Sequence, residues 1–357
     1  TIKQKRMTSI YDVKDNLVGK KIGIDDVVTT YSSRPESHKS AWTYLLMSQL
    51  KSLGLDVTVL TKDGNIHDFD VWMVALPMEF QGSYNLFGGA GDEPAARIQR
   101  FIDFKGEVYC LNRQMPDVGV FAQSRMSSCT DNWKALDVEL LSTRAKSVET
   151  IDLTLNKGTF VLGDSHSVSA YIPGADISRN DGKTLFGILK EGIGTYVPQG
   201  TKDMVPYFGN IDIRHHLCRQ ADPVKATEEL VKNYVDQLKT LNIEKISVMQ
   251  LLPIEHEERR IPQTGFYKKT PFYGSLEKRL EICRIFNKKL SIYLSEAGFE
   301  LIEWPIEWFN ISPKDYADTY MEKPGSVHLS REYYQYDFET GEKKKKPTPK
   351  PKVVSLF

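Results

Sequence analysis

The sequence predicts an α/β protein made of two doubly wound, parallel-sheet domains. Three observations point there. Short β-branched runs alternate with long helical patterns from near the start; the cycle lapses around 145–157 and restarts at 158; and 357 residues, 40% apolar and 26% charged, are ordinary for a soluble chain long enough for two cores.

Taken in order, "KKIGID" (20–25) and "LDVTVL" (55–60) are strand candidates. Between them Trp42, Leu45, Leu46, Leu50 and Leu53 recur at helical spacing until Gly54 ends the pattern. That is a βαβ unit. "DVWMVAL" (70–76), a glycine-containing loop, the helix-like "AARIQRFIDF" (95–104) and "EVYCLN" (107–112) repeat the theme. The second half offers strands at 159–163, 204–209, 245–254 and 299–304, the third apolar almost throughout, as a central parallel strand should be. Its helices begin at Asp222-Pro223, an N-cap with proline at the first helical position, and at "SLEKRLEICRIFNKKLSIYLSEAG". The domains are therefore expected at 1–150 and 151–340, followed by a flexible tail over 341–357 that carries six lysines against one glutamate.

Lysine plus arginine balances aspartate plus glutamate at 47 each, so bulk charge predicts no general attraction to nucleic acid or anionic membrane. Cys110, Cys129, Cys218 and Cys283 are widely spaced with no C-x-x-C, which predicts free thiols and disfavours cysteine-bound zinc. No apolar run approaches a membrane span, so a cytoplasmic location is expected. No metal or cofactor is predicted.

In open parallel sheets, ligands sit off the carboxyl ends of strands, and the polar clusters of the second half follow that rule. After its first strand comes Gly163-Asp164-Ser165-His166; after the second, "FGNIDIRHHL" brings Asn210, Asp212, Arg214, His215 and His216; near the end, "EKPGSVHLSREYY" brings His328. A serine hydroxyl needs a base within hydrogen-bond reach, and a helix N-terminus offers backbone N–H groups to an oxyanion. Ser165 and His328 suit those roles. Read singly, Ser165 or Ser167 merely caps a helix. His215 and His216, on an extended chain, point to opposite faces, which leaves at most one for the crevice.

"VLGDSHS", "FGNIDIRHH" and "GSVHLS", in that order, resemble the blocks of the SGNH (GDSL) hydrolase superfamily over about 158–338. The resemblance implies an esterase or acyltransferase acting on a small-molecule or hydroxylated substrate. It implies Ser165 as nucleophile, His328 as base, and an oxyanion hole from the Ser165 N–H, a glycine N–H at Gly192 or Gly194, and the Asn210 side chain. The expected catalytic set is thus Ser165, His328, Asn210 and Asp212, with Asp164, His166, Gly192, Arg214 and His216 binding substrate. Two departures stand out. The superfamily's aspartate three residues before the histidine is Gly325 here, leaving a backbone carbonyl, Glu322 or Asp318 to orient the ring, and the G-x-N-D spacing would put the asparagine at Ile211. Asp164-x-His166 also resembles a metallophosphoesterase block, but the later G-N-H-E and G-H-x-H signatures are missing.

The first half lacks G-x-G-x-x-G, which disfavours a dinucleotide site. Over about 20–116, with "YNLFGG" at 84–89, it resembles the acceptor lobe of bacteriophage DNA β-glucosyltransferases, which implies acceptor-binding roles for Gly88, Gly89, Asn112 and Arg113. Asparagine cannot take a proton, so glycosyl transfer is disfavoured. Two other readings stay open: a non-catalytic protein that binds DNA or another partner, and a phage DNA-modifying glycosyl or acyl transferase.

Overall fold

The computed structural model describes residues 7–25, 38–60, 64–75, 99–115, 134–254, 269, 272–323 and 325–345. It contains two fully parallel sheets. The first has six strands, β1 (Thr8–Ser9), β2 (Lys21–Asp25), β3 (Asp56–Val59), β4 (Val71–Ala75), β5 (Glu107–Leu111) and β6 (Glu149–Asp152), in the order β1-β6-β5-β4-β2-β3. The second has five, β7 (Thr159–Gly163), β8 (Asp176–Arg179), β9 (Asp203–Tyr207), β10 (Lys245–Met249) and β11 (Glu300–Ile302), in the order β11-β10-β9-β7-β8.

Three strands escape sequence reading. β6 lies inside the stretch taken to be patternless and pairs with both β5 and β1; β8, in "ADISRN", pairs with β7. The cause is physical: β1 has two residues and β8 is an edge strand with three of four residues only partly buried. Neither can display an alternation of apolar and polar positions.

The first sheet carries helices α1 (Ile10–Leu17), α2 (His38–Lys51) and α3 (Val138–Ser147), with helical residues also at 99–103. The second carries α4 (Leu185–Glu191), α5 (Asn210–His215), α6 (Pro223–Lys239), α7 (Leu276–Ala297), α8 (Glu307–Asn310) and α9 (Pro313–Tyr320). α6 starts as read, with Asp222 accepting from Lys225 N and Pro223 at its head; α7 starts on Ser275 and stops at Gly298, φ +73°. Cys110, Cys218 and Cys283 are free thiols.

α2 joins the halves. It connects the parallel strands β2 and β3, so it runs antiparallel to both, and its other flank meets the second sheet's elements. Trp42, near its start, lies under the Arg179 guanidinium at the last residue of β8, 5.8 Å from the ring centroid. Gln49, near its end, donates to Ala175 O (3.0 Å) just ahead of β8, and Ser52 O accepts from Lys157 Nζ (2.9 Å) ahead of β7. The carboxyl ends of both sheets consequently face the same edge of the molecule. One apolar core runs through this junction, from Leu45, Leu50 and Met73 to Val161, Leu162, Tyr207 and Phe286. A second core, around Trp72, Phe101, Phe104 and Leu141, fills the far face of the first sheet.

The expected flexible tail starts at 341, yet residues 341–345 are held. Lys343 bridges Tyr336, Lys344 N donates to Gln335 O (2.9 Å), and Lys344 Nζ donates to the carbonyls of Arg331 and Glu332 (3.1 Å each). Residues 346–357 lie outside the described residues.

Candidate active site

The second sheet reverses its winding between β7 and β9, and the polar turn of the sequence sits off the end of β7. Gly163 closes that strand because nothing larger fits: a Cβ there would lie 2.5 Å from Tyr207 O and 2.8 Å from Ser167 Cβ. The chain then enters a short 3-10 helix, Ser165–Ala170, capped by Asp164, whose Oδ1 accepts from His166 N (2.8 Å). Ser167 and Ser169 donate back to the carbonyls of Asp164 and His166 (2.7 Å each), which explains their presence without chemistry. Ser165 is the one member of the helix that stays half-exposed.

Its hydroxyl meets His328. Ser165 Oγ and His328 Nε2 are 2.8 Å apart, across 163 positions of sequence. The histidine rides on a loop pinned at its base, where Met321 bridges Leu329 and Glu322 N donates to His328 O (3.0 Å). Gly325, at φ +72°, turns this loop in the left-handed region where an L-aspartate would be strained. A carboxylate nonetheless approaches the ring, that of Glu322, buried at the loop's start: its Oε1 lies 3.9 Å from His328 Nδ1 and accepts from Ser326 Oγ (2.7 Å). Ser326 Oγ in turn accepts from His328 N (3.1 Å). Spacing conceals the substitution, since the carboxylate stands six positions before the histidine instead of three.

The remaining candidates are distributed differently from the expectation. Asp164 and His166, expected to bind substrate, are buried and bonded to one another, Nδ1 to Oδ1 at 2.8 Å. Asp212, expected in the catalytic set, caps α4: its two oxygens accept from Leu185 N (2.7 Å) and Phe186 N (3.1 Å). Burial pushes its carboxyl up to about 7, against the pull of those two N–H groups. Arg214 is buried, with Nη2 3.5 Å from Val327 O, rather than presented to a ligand.

His215 and His216 end a helix instead of lying on extended chain. His215 is buried and stacks on Phe272 (centroids 6.3 Å), while half-buried His216 lines a cavity of about 470 Å³ with Phe186, Leu217 and Leu230. Burial lowers the His216 pKa.

Asn210 opens α5 off the end of β9, beside the serine turn, after Gly209 at φ +117°. It is almost fully buried, and among the described residues its Nδ2 makes no hydrogen bond, with the Tyr207 hydroxyl nearby. Gly192 is displaced. It ends α4 at the opposite end of the sheet, where its N–H donates to Leu189 O (3.2 Å), and the next residue, Ile193, bonds Gln237 near the end of α6. Gly182 (φ +76°) does lie at the serine's end, in the loop after β8; that loop is tied to the turn by Asn180 N donating to Gly163 O (2.7 Å). Sequence reading missed it because it missed β8.

In the first half, Asn112 adopts φ +61°; its N–H donates to Ile151 O (2.7 Å) and its Oδ1 accepts from Leu153 N (2.8 Å), so it fastens β5 to the end of β6. With Arg113 it lines a cavity of about 400 Å³ between the two sheets. Gly88 and Gly89 lie outside the described residues.

No family model matches the sequence, and no curated protein sequence does. Solved structures do match in part. A lipase/acylhydrolase from Enterococcus faecalis is 15% identical, over 51% of this chain and 91% of that one, with a TM-score of 0.33. An acetyl xylan esterase from Geobacillus stearothermophilus is 14% identical, over 49% and 87%, with a TM-score of 0.33. A gut microbial diltiazem-metabolizing enzyme is 15% identical with a TM-score of 0.31, over 43% of this chain and just 37% of that one.

No helix among the described residues is long and apolar enough to cross a membrane.

Proposed function

We propose that this chain is a serine-dependent esterase. The observation that carries the reading is the 2.8 Å contact between the hydroxyl of partly buried Ser165 and His328 Nε2, with Glu322 on the far side of the ring.

Ser165 Oγ attacks the ester carbonyl while its proton passes to His328 Nε2, and the Glu322 carboxylate opposite Nδ1 stabilises the imidazolium that forms. The first N–H of a helix has no partner within it, so the Ser165 N–H is available to the oxyanion. Gly182 N–H and Asn210 Nδ2 are the other donors of this reading. Collapse expels the alcohol, which takes the proton from His328, and water activated by the same ring then releases the acid and restores Ser165. Where a second hydroxyl takes the place of that water, the same steps amount to acyl transfer.

Two assays test the proposal. Full-length protein should hydrolyse p-nitrophenyl acetate and label at Ser165 with a fluorophosphonate probe. Ser165→Ala should lose both while melting as the wild type does. Turnover that persists in Ser165→Ala would remove the serine mechanism.

A further inference from the structure

His166 is buried, adjoins the nucleophile, and is left without a role by the steps above. Its ring lies against that of His328, centroids 4.8 Å apart and planes tilted by 33°. Each of its nitrogens lies within hydrogen-bond distance of an oxygen, Asp164 Oδ1 at 2.8 Å from Nδ1 and Val327 O at 3.0 Å from Nε2. Arg214 Nη1 is farther, at 3.5 Å from Nε2, so the nearer carbonyl is the partner of that nitrogen. Val327 immediately precedes His328 in sequence.

We infer that His166 is a positioning residue, a strut that sets the spacing between Ser165 and His328 by carrying on the serine turn an Nε2–H that holds the Val327 carbonyl of the histidine loop, with Asp164 fixing the tilt of its ring. The inference rests on the esterase reading and extends it. The two loops come from opposite ends of the C-terminal half, and 161 positions of chain separate His166 from Val327. Short-range covalent geometry cannot fix their distance. Along with the Arg214 guanidinium, 3.5 Å from the same carbonyl, the imidazole joins the backbone beside one reacting group to the backbone beside the other. A serine moved by about 1 Å from its base loses on the order of 10²-fold in rate, so such a link acts on kcat.

Side-chain length gives the test, because asparagine and glutamine amides place a donor near Nδ1 and Nε2 respectively, and phenylalanine keeps ring volume with neither. In the full-length protein, His166→Gln should keep kcat for p-nitrophenyl acetate within about threefold of wild type, whereas His166→Asn and His166→Phe should fall about a hundredfold, with KM little changed in all three. Fluorophosphonate labelling of Ser165 should slow in the same order, and thermal melts identify which variants fold.

His166→Phe as active as His166→Gln would reduce the residue to packing, and rescue by asparagine in place of glutamine would assign the role to Asp164; either result overturns the inference. If only His166→Gln folds, near-wild-type labelling supports the strut and a hundredfold loss refutes it. A wild type that neither labels at Ser165 nor turns over ester refutes the esterase reading itself, a separate result from unequal variants of an active enzyme.

Discussion

Glu322 illustrates how little of a catalytic geometry a spacing rule contains. What matters to His328 is a carboxylate opposite Nδ1, and a loop turned by Gly325 at φ +72° delivers one from six positions upstream. The 3.9 Å separation is longer than a hydrogen bond, as catalytic contacts often are without substrate. Glu322→Gln should therefore lower kcat about a hundredfold while leaving KM and the melting temperature near wild type, as steady-state kinetics will check. Ser165, His328 and Glu322 were all legible as candidates in the sequence, the first two by motif and the third as a stand-in. Asp164 and His166 were legible as a polar pair but not as a buried one, because burial depends on what the loop 161 positions away covers.

At the level of elements, one source of error is a helix or strand end satisfied by something distant in sequence. α4 takes its N-terminal cap partly from Thr184, which is local, and partly from Asp212 on α5, which is not. That arrangement has a measurable consequence. The Asp212 pKa is raised by burial from an ordinary 3.8 to about 7, so the folded chain holds that proton more tightly than the unfolded one. Stability from this group is fully present below about pH 4 and is lost as pH rises towards 7. Thermal melts of wild type and Asp212→Asn between pH 4 and 8 should show a decline in the wild type that the variant lacks, and parallel curves would show that Asp212 does not titrate there. The long elements were read correctly because each carries its own signals: α6 has Asp222 and Pro223, α7 has Ser275 and Gly298. β8 carries none, and with it the loop that holds Gly182 went unread.

Across the whole molecule, α2 is the element that makes two sheets one body. It belongs to the first sheet by connectivity, yet Tyr44 lies under the Arg331 guanidinium (3.6 Å) and Gln49 bonds Ala175, both in the second half. A core that continues across such a junction couples the two halves energetically. Differential scanning calorimetry of the full chain should show a single transition with equal calorimetric and van't Hoff enthalpies. Two resolved transitions would mean that the halves unfold independently.

The amino-acid sequence by itself determined that this protein is α/β with parallel sheets, where its two longest helices begin, and, through the resemblance of its motifs, which serine and histidine to pair. The first two follow from periodicity and caps, readable within a few turns of chain, and the pairing of serine with histidine is what the resemblance of three short motifs implies. Tertiary structure alone decided which carboxylate faces His328, that Asp212 and Asn112 hold backbone N–H groups, that Gly182 and not Gly192 lies at the serine's end of the sheet, and that α2 unites the two sheets. Each of these is a contact between segments remote in sequence, set by packing and by the need to pair buried polar groups, and local chemistry carries no record of the partner.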